Sequence, residues 1–149
     1  METLFDPGVY ADVLRRVESI RPGSERQWGK MTVTQMLEHT ARALETAAGK
    51  KASKQALLGK TIGWMFRRDF VSPKPFPRNA PTGPDFVVHG EPDFGRTKER
   101  VKTLLGEFHA VGEQGCDGNI HRFFGRLTGA EWGVTQFKHM DHHLRQFGA

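Results

Sequence analysis

The chain has 149 residues, which suffices for one domain with a single buried core. Its hydrophobic fraction of 37% and its charged fraction of 26% are typical of a folded globular protein and exclude a disordered chain. The net charge is +5, and Cys116 is the only cysteine, which excludes a disulfide framework and cysteine-rich zinc sites. No apolar run approaches the roughly 20 residues of a membrane-spanning helix. The start METLFDPGVY also lacks the order of a signal peptide, so we expect a cytoplasmic protein.

Two amphipathic helices are predicted in the first fifty residues. The first begins near Pro7, ends at Pro22-Gly23, and has an apolar stripe at three- and four-residue steps: Leu4, Val9, Val13, Leu14, Val17 and Ile20. The second begins with Thr32 or Thr34 as its cap and ends at Gly49. Its apolar side consists of Met36, Leu37, Ala41, Leu44 and Ala48.

A weaker helix and a long crossover are predicted to follow. The helix covers residues 53–70, where Gly59 and Gly63 each cost about 1 kcal/mol relative to alanine. Residues 71–94 contain six prolines, a density that no helix tolerates. We therefore predict a long crossover without helix in this part of the chain.

Two further helices are predicted in the last third of the chain. Asp93 caps a helix that runs to about Ala110, and residues 112–127 form a loop that is rich in glycine and aromatic residues. Thr128 begins the last helix as a capping box with Glu131, and this helix ends at Gly148.

Together these elements predict an all-α fold. Four principal helices with one long proline-rich crossover favour a four-helix bundle, with residues 53–70 as one extra short helix. Strand-like alternation is almost absent, and residues 85–89 are the only strand candidate.

The histidines are the main functional signal. His139 and His143 are four residues apart, so on a helix they lie one turn apart on the same face, a spacing that suits two ligands of one ion. His39, among the apolar residues of the second helix, is the candidate third ligand, whereas His142 is rotated away from the pair. The alternative is a set of core histidines that carboxylates, backbone carbonyls or water satisfy.

Two segments of the chain resemble a known group of metalloproteins. HMDHHLRQFG at 139–148 resembles the His-x3-His motif in the last helix of the DinB-like metalloprotein superfamily, and WGKMTVTQMLEHTARAL at 28–44 resembles its second helix. Residues 121–148 look more particularly like a bacterial branch of unknown function within that superfamily. The resemblance extends over nearly the whole chain. It implies one domain over residues 1–149, a four-helix bundle that often forms a homodimer, and His39, His139 and His143 as metal ligands.

The same resemblance implies a class of chemistry. Some DinB-like members resemble S-transferases that activate bacillithiol, mycothiol or a similar small thiol, and others resemble hydrolases. We therefore expect a metal-dependent thiol S-transferase or hydrolase that acts on a small molecule. The expected ion is zinc or nickel, with iron as a further option, because imidazole suits all three. Supporting or acid–base candidates are Gln136, Asp141, Gln146 and His121, and candidates for an anionic thiol cofactor are Arg122, Arg126 and Arg145.

Two other classes of function stay open from the sequence. The first is a non-catalytic metal-binding or stress-response module, which a fourth ligand such as Glu38 or His142 would favour. The second is a binder of anionic surfaces through residues 50–78, because eight basic residues and one acid lie between Thr46 and Pro84. A solvated face is the simpler interpretation of that charge, and no nucleic-acid motif is visible.

Overall fold

The computed structural model describes residues 1–51 and 53–149. In that part of the chain, five helices account for most of the fold: α1 (Pro7–Ser19), α2 (Val33–Ala47), α3 (Leu57–Val71), α4 (Phe94–Cys116) and α5 (Gly129–Gln146). A 3-10 turn at Pro84–Phe86 interrupts the crossover. Strands β1 (Ile120–His121) and β2 (Gly125–Arg126) form a small antiparallel ribbon between α4 and α5.

Four of the five helices in the described chain begin at a residue whose side chain caps them, and α3 is the exception. Asp6 accepts hydrogen bonds from the backbone N–H groups of Gly8 and Val9, so α1 begins at Pro7 as predicted. Thr32 caps α2 in a reciprocal arrangement with Gln35. Thr128 and Glu131 form the predicted capping box at the start of α5, with N···O distances of 2.7 and 3.2 Å.

The core lies among α1, α2, α4 and α5. Helices α2, α4 and α5 pack against one another, and α1 packs on α4 and α5. The largest fully buried side chains include Trp132, Phe108, Leu37 and Met140. Within the described residues, none of the helices has both the length and the apolar character that crossing a membrane requires.

Helix α4 continues past its predicted end near Ala110. Gly112 has a φ of 66°, which kinks the chain, and the helix then resumes as far as Cys116. Cys116 is the last residue of α4 and is fully buried in the hydrophobic core. The prediction that this residue lies in a loop is therefore wrong. Burial of this apolar side chain in the core favours the continuation of the helix after the kink.

The predicted loop 112–127 also contains the ribbon, while residues 85–89, the predicted strand candidate, are not a strand. Ile120 pairs with Arg126 and His121 with Gly125. The prediction of an all-α fold is therefore corrected to a mostly helical fold with one small two-stranded sheet.

Helix α3 begins at Leu57, four residues later than predicted, because the residues before it bind the ribbon. The Ala56 N–H donates to the Arg122 carbonyl at 2.7 Å, and the Gln55 side chain donates to the Phe123 carbonyl at 3.1 Å. Gly59 lies directly on the backbone of Phe123, where a Cβ atom would collide with the carbonyl oxygen. This glycine thus sets how closely α3 approaches the ribbon.

Candidate metal centre

Three imidazoles converge between α2 and α5. Nε2 of His39 lies 2.9 Å from Nε2 of His139, and the ring centroids of His39 and His139 lie 4.8 and 4.7 Å from that of His143. The candidate ligand atoms of all three lie within 4.8 Å of one another. This convergence follows from the four-residue spacing of His139 and His143 and from the packing of α2 against α5.

Hydrogen bonds to Nδ1 orient two of the three rings. Nδ1 of His39 lies 3.0 Å from the Phe86 carbonyl oxygen, which can only accept, so Nδ1 carries the proton and Nε2 keeps its lone pair. The Gln146 amide nitrogen donates to the Trp28 carbonyl at 2.9 Å, so its oxygen faces Nδ1 of His143 at 2.8 Å. His143 therefore also carries its proton on Nδ1 and presents a free Nε2.

The third ring lacks such a partner among the described residues. Nδ1 of His139 is buried and has no hydrogen-bond partner, and the same is true of Oε1 of Gln136. The two side chains lie three residues apart on α5, so they share one helix face. An unpaired ring nitrogen beside two oriented imidazoles is costly in a core of side chains alone, and a bound cation would explain why these rings face one another.

The electrostatics of the site favour neutral rings. Burial, followed by the charge of His39, lowers the pKa of His143 to about 3. Burial also lowers the pKa of His39, and burial together with the neighbouring histidines holds the pKa of His139 well below its usual value. Near neutral pH each ring thus has a lone pair to donate, which is the protonation state that metal binding requires. The three residues fit a divalent ion.

Neither predicted fourth ligand joins the cluster. Glu38 binds Arg42 at 2.9 Å and Arg100 at 2.6 Å instead. His142 packs edge-on against Trp28 at 5.5 Å. Within residues 1–51 and 53–149, the cluster consists of the three histidines alone. An ion held there would keep at least one position open, as in catalytic zinc sites.

The other site candidates are divided among several places. Gln146 contacts the cluster through His143, and Gln136 is buried on the same helix. His121 lies in an aromatic cluster, where its ring is 4.9 Å from those of Phe70 and Phe124. It accepts hydrogen bonds from two backbone N–H groups at 3.1 and 3.2 Å. His121 thus packs among aromatic side chains outside the cluster, close enough that its charge contributes to lowering the pKa of His139.

Two of the candidate arginines and Asp141 lie away from the three rings. Asp141 forms ion pairs with Arg16 at 3.0 Å and with Arg145 at 2.9 Å, which connect α1 to α5. Arg126 is exposed and donates to the Gly118 carbonyl at 3.3 Å. These contacts connect α1 to α5 through the mostly buried Asp141 and leave Arg145 and Arg126 on the surface.

Arg122 lies in a basic cavity of about 70 Å³. The cavity is lined by four basic residues, two hydroxyl groups, the Asp85 carboxylate that pairs with Arg122, and Phe86: Arg42, Lys51, Lys54, Arg122, Thr46, Ser53, Asp85 and Phe86. The cavity wall adjoins the histidine cluster. The carbonyl of Phe86, which lines the cavity, accepts a hydrogen bond from Nδ1 of His39, and Arg42 follows His39 by about one turn of α2.

The sequence offered no signal for several of these contacts. The carbonyls of Phe86 and Trp28 orient the two rings directly or through Gln146, yet a backbone carbonyl is present at every residue. The basic cavity is likewise assembled from α2, the segment between α2 and α3, the 3-10 turn and the ribbon, and the last two are far from α2 in the chain. Only the positive charge of residues 50–78 was visible in the sequence.

Comparison with known proteins places the chain in a family without an assigned activity. Residues 9–149 match the model of a family described as a protein of unknown function (DUF1569). The chain belongs to this family. No curated protein and no solved structure gives a significant match to it.

Proposed function

We propose that this DUF1569 member is a metal-dependent enzyme that binds one divalent ion through Nε2 of His39, His139 and His143. The observation that carries the proposal is the convergence of the three neutral imidazoles, two of which have Nδ1 held by an acceptor. Packing alone needs no such arrangement, because the partly buried His109 and His121 are each satisfied singly by the backbone elsewhere.

We further assign the chain to the DinB-like metalloprotein superfamily, as one domain that contains a four-helix bundle. The packing of α1, α2, α4 and α5 and the long crossover between α3 and α4 support this assignment. The positions of the histidines on α2 and α5 support it as well. The homodimer expected of such proteins belongs to the same proposal, and light scattering of the purified protein tests it.

An ion on three imidazoles supplies Lewis acidity, which makes a nearby water or thiol lose its proton more readily. The chain's own residues have supporting roles. Phe86 and Gln146 keep the lone pairs of His39 and His143 aimed at one point, whereas Nδ1 of His139 and Oε1 of Gln136 have no hydrogen-bond partner among the described residues. The basic cavity beside His39 suits the anionic end of a substrate or thiol cofactor.

The thiol must come from outside the chain. Cys116 is the only cysteine, it is fully buried at the end of α4, and burial raises its pKa to about 11. A protonated, enclosed thiol is a poor nucleophile. We therefore propose two reactions in order of preference: transfer of a small-molecule thiol to an electrophile, in which the sulfur displaces a leaving group, and hydrolysis by water.

The competing function is a non-catalytic metal-binding module. A closed site with four protein ligands would favour it, whereas the cluster in the described residues has three. The open position thus favours catalysis.

An activity screen tests the enzymatic proposal. Metal-free protein is loaded with zinc, nickel or iron and assayed with an electrophile panel, in the presence of bacillithiol, mycothiol or cysteine and without any thiol. We expect turnover only with metal and only with a subset of thiols, or with water alone if the enzyme is a hydrolase. Stoichiometric metal binding without turnover in every combination would contradict the catalytic proposal and favour the binding module.

A further inference from the structure

Helix α3 exposes an unusual amount of apolar surface. Five of the eight large hydrophobic side chains that are exposed in the described chain lie on it: Leu57 (77% exposed), Leu58 (61%), Trp64 (73%), Met65 (58%) and Phe66 (52%). A concentration of apolar side chains on one exposed helix indicates an interaction site, whereas scattered ones need no explanation.

The packing of α3 against the rest of the protein keeps its apolar face exposed to solvent. Its inner face consists of Gly59 and Gly63, which lie on the Phe123 backbone. Arg67 pairs with Glu131 of α5 at 2.7 Å. At the C-terminal end of the helix, the Lys138 ammonium donates to three carbonyls of residues 69–72, at 2.7 to 3.2 Å. These contacts fix the rotation of the helix, so Leu57, Leu58, Trp64 and Met65 project together away from the protein.

The charge around this face is positive and largely unpaired. Among the residues that the structure describes, the ion pairs of this region involve Lys50, Arg67, Lys74 and Arg122, and none involves the exposed Lys60 or Arg68. The only acid between Thr46 and Pro84, Asp69, pairs with Lys74 at 3.5 Å. An apolar stripe flanked by free basic groups is typical of helices that lie in the plane of a membrane surface.

We propose that α3 docks on an anionic lipid surface. Leu57, Leu58, Trp64 and Met65 enter the headgroup boundary, and Lys60 and Arg68 bind lipid phosphates and carboxylates. The sequence alone favours a solvated face for this segment, and the exposure of the apolar stripe is the observation that changes this interpretation.

Charge and polarity favour an anionic lipid surface over two other partners, a second copy of this chain and a nucleic acid. A second copy of α3 would bring like charges together across a symmetric contact, which disfavours it. A nucleic acid would satisfy the basic groups but would leave the apolar stripe in water. An anionic bilayer satisfies both, and the amphipathic Trp64 suits the interface between headgroups and acyl chains.

Vesicle binding tests the proposal without reference to metal or activity. Full-length protein is titrated with vesicles of phosphatidylcholine alone and of phosphatidylcholine with phosphatidylserine, and binding is measured by co-sedimentation and tryptophan fluorescence. We expect binding only to the anionic vesicles, with a blue shift of emission that Trp64→Ala removes, and with affinity that falls as salt is added.

Matched variants separate the contribution of the basic residues to vesicle binding from that of the apolar residues. Lys60→Gln and Arg68→Gln together should weaken binding about thirtyfold, at about 1 kcal/mol per charge. Leu57→Ser with Met65→Ser should weaken it as well, whereas Val87→Ser with Val111→Ser, the control at exposed apolar residues elsewhere, should not.

Circular dichroism first confirms that each variant is folded. Equal binding to neutral and anionic vesicles, or no binding to either, would overturn the proposal. It would also be overturned by dimerisation that buries Trp64 without vesicle binding, or by DNA binding that survives loss of the apolar side chains.

Discussion

Two regions of the molecule bury histidines, and they use them in different ways. In the metal-centre cluster, His39 and His143 donate from Nδ1 and turn their free Nε2 atoms towards His139. In the aromatic cluster, His121 lies alone among Phe70, Phe124 and Trp132, and its Nδ1 accepts from two backbone N–H groups.

Burial lowers the pKa in both regions, to about 3 for His143 and to about 4 for His121. A lowered pKa therefore does not distinguish a metal site from a packed histidine. What distinguishes them is where the lone pairs point. In the three-histidine cluster the lone pairs converge on one another, whereas the lone pair on Nδ1 of His121 already accepts hydrogen bonds from backbone N–H groups.

The largest effect should come from removing one converging ring. His143→Ala leaves two neutral ligands, so we expect metal affinity to fall by at least about a hundredfold while helix content is unchanged. Metal content by mass spectrometry and helix content by circular dichroism measure the two effects. His142→Ala, the neighbouring residue outside the cluster, should keep nearly full metal content. Equal metal loss in both variants would break the assignment of ligands.

The aromatic region can be disturbed independently. Gly59→Ala drives a Cβ into the Phe123 carbonyl, so α3, which carries Phe70, must move away from the ribbon. We expect a loss of about 1–3 kcal/mol in the free energy of unfolding, measured by urea denaturation. Metal affinity should stay within about twofold. A variant that lost both stability and metal affinity would show that the two regions are coupled.

A smaller change in metal affinity should follow from the hydrogen bond behind His143. Gln146→Leu removes the acceptor of Nδ1 and also the donor to the Trp28 carbonyl. Loss of such support costs about 10- to 100-fold in metal affinity. Gln146→Glu, which retains an acceptor at the same position, should recover part of that loss in a calorimetric titration. Identical affinities in wild type and Gln146→Leu would leave the residue without a supporting role.

The smallest effect concerns His121 and pH. Its pKa is about 4 in the folded protein and about 6.5 when unfolded. Between these values the unfolded chain takes up a proton that the folded chain does not, so stability is complete above pH 6.5 and falls as the pH decreases towards 4. His121→Asn keeps an acceptor but does not titrate. It should reduce the acid slope of the unfolding free energy by at most about 1.4 kcal/mol per pH unit. An unchanged slope would contradict this environment for His121.

The same contrast explains what the sequence could predict. The cluster of three rings was predictable because His139 and His143 are related by a local helical step and His39 lies on an apolar helix face. The caps at Thr32, Asp93 and Thr128 were predictable for the same reason, since each acts within three residues of its helix start.

The rest depends on contacts between distant segments. The ribbon has two residues in each strand, too few for alternation, and α4 resumes after Gly112 because Cys116 reaches the core. The cluster around His121 joins the end of α3, the ribbon and α5, and the Phe86 carbonyl reaches His39 only because the crossover folds back on α2. The sequence shows the apolar stripe of α3 but not whether that stripe faces the core or the solvent, because both kinds of stripe have the same spacing.

A crystal structure of the protein with zinc, using the anomalous signal at the zinc edge, tests the central claim most directly. We predict one anomalous peak per chain, with the Nε2 atoms of His39, His139 and His143 each about 2.0–2.1 Å from it. A peak on other residues, or no peak at saturating zinc with the three rings still facing one another, would contradict the account.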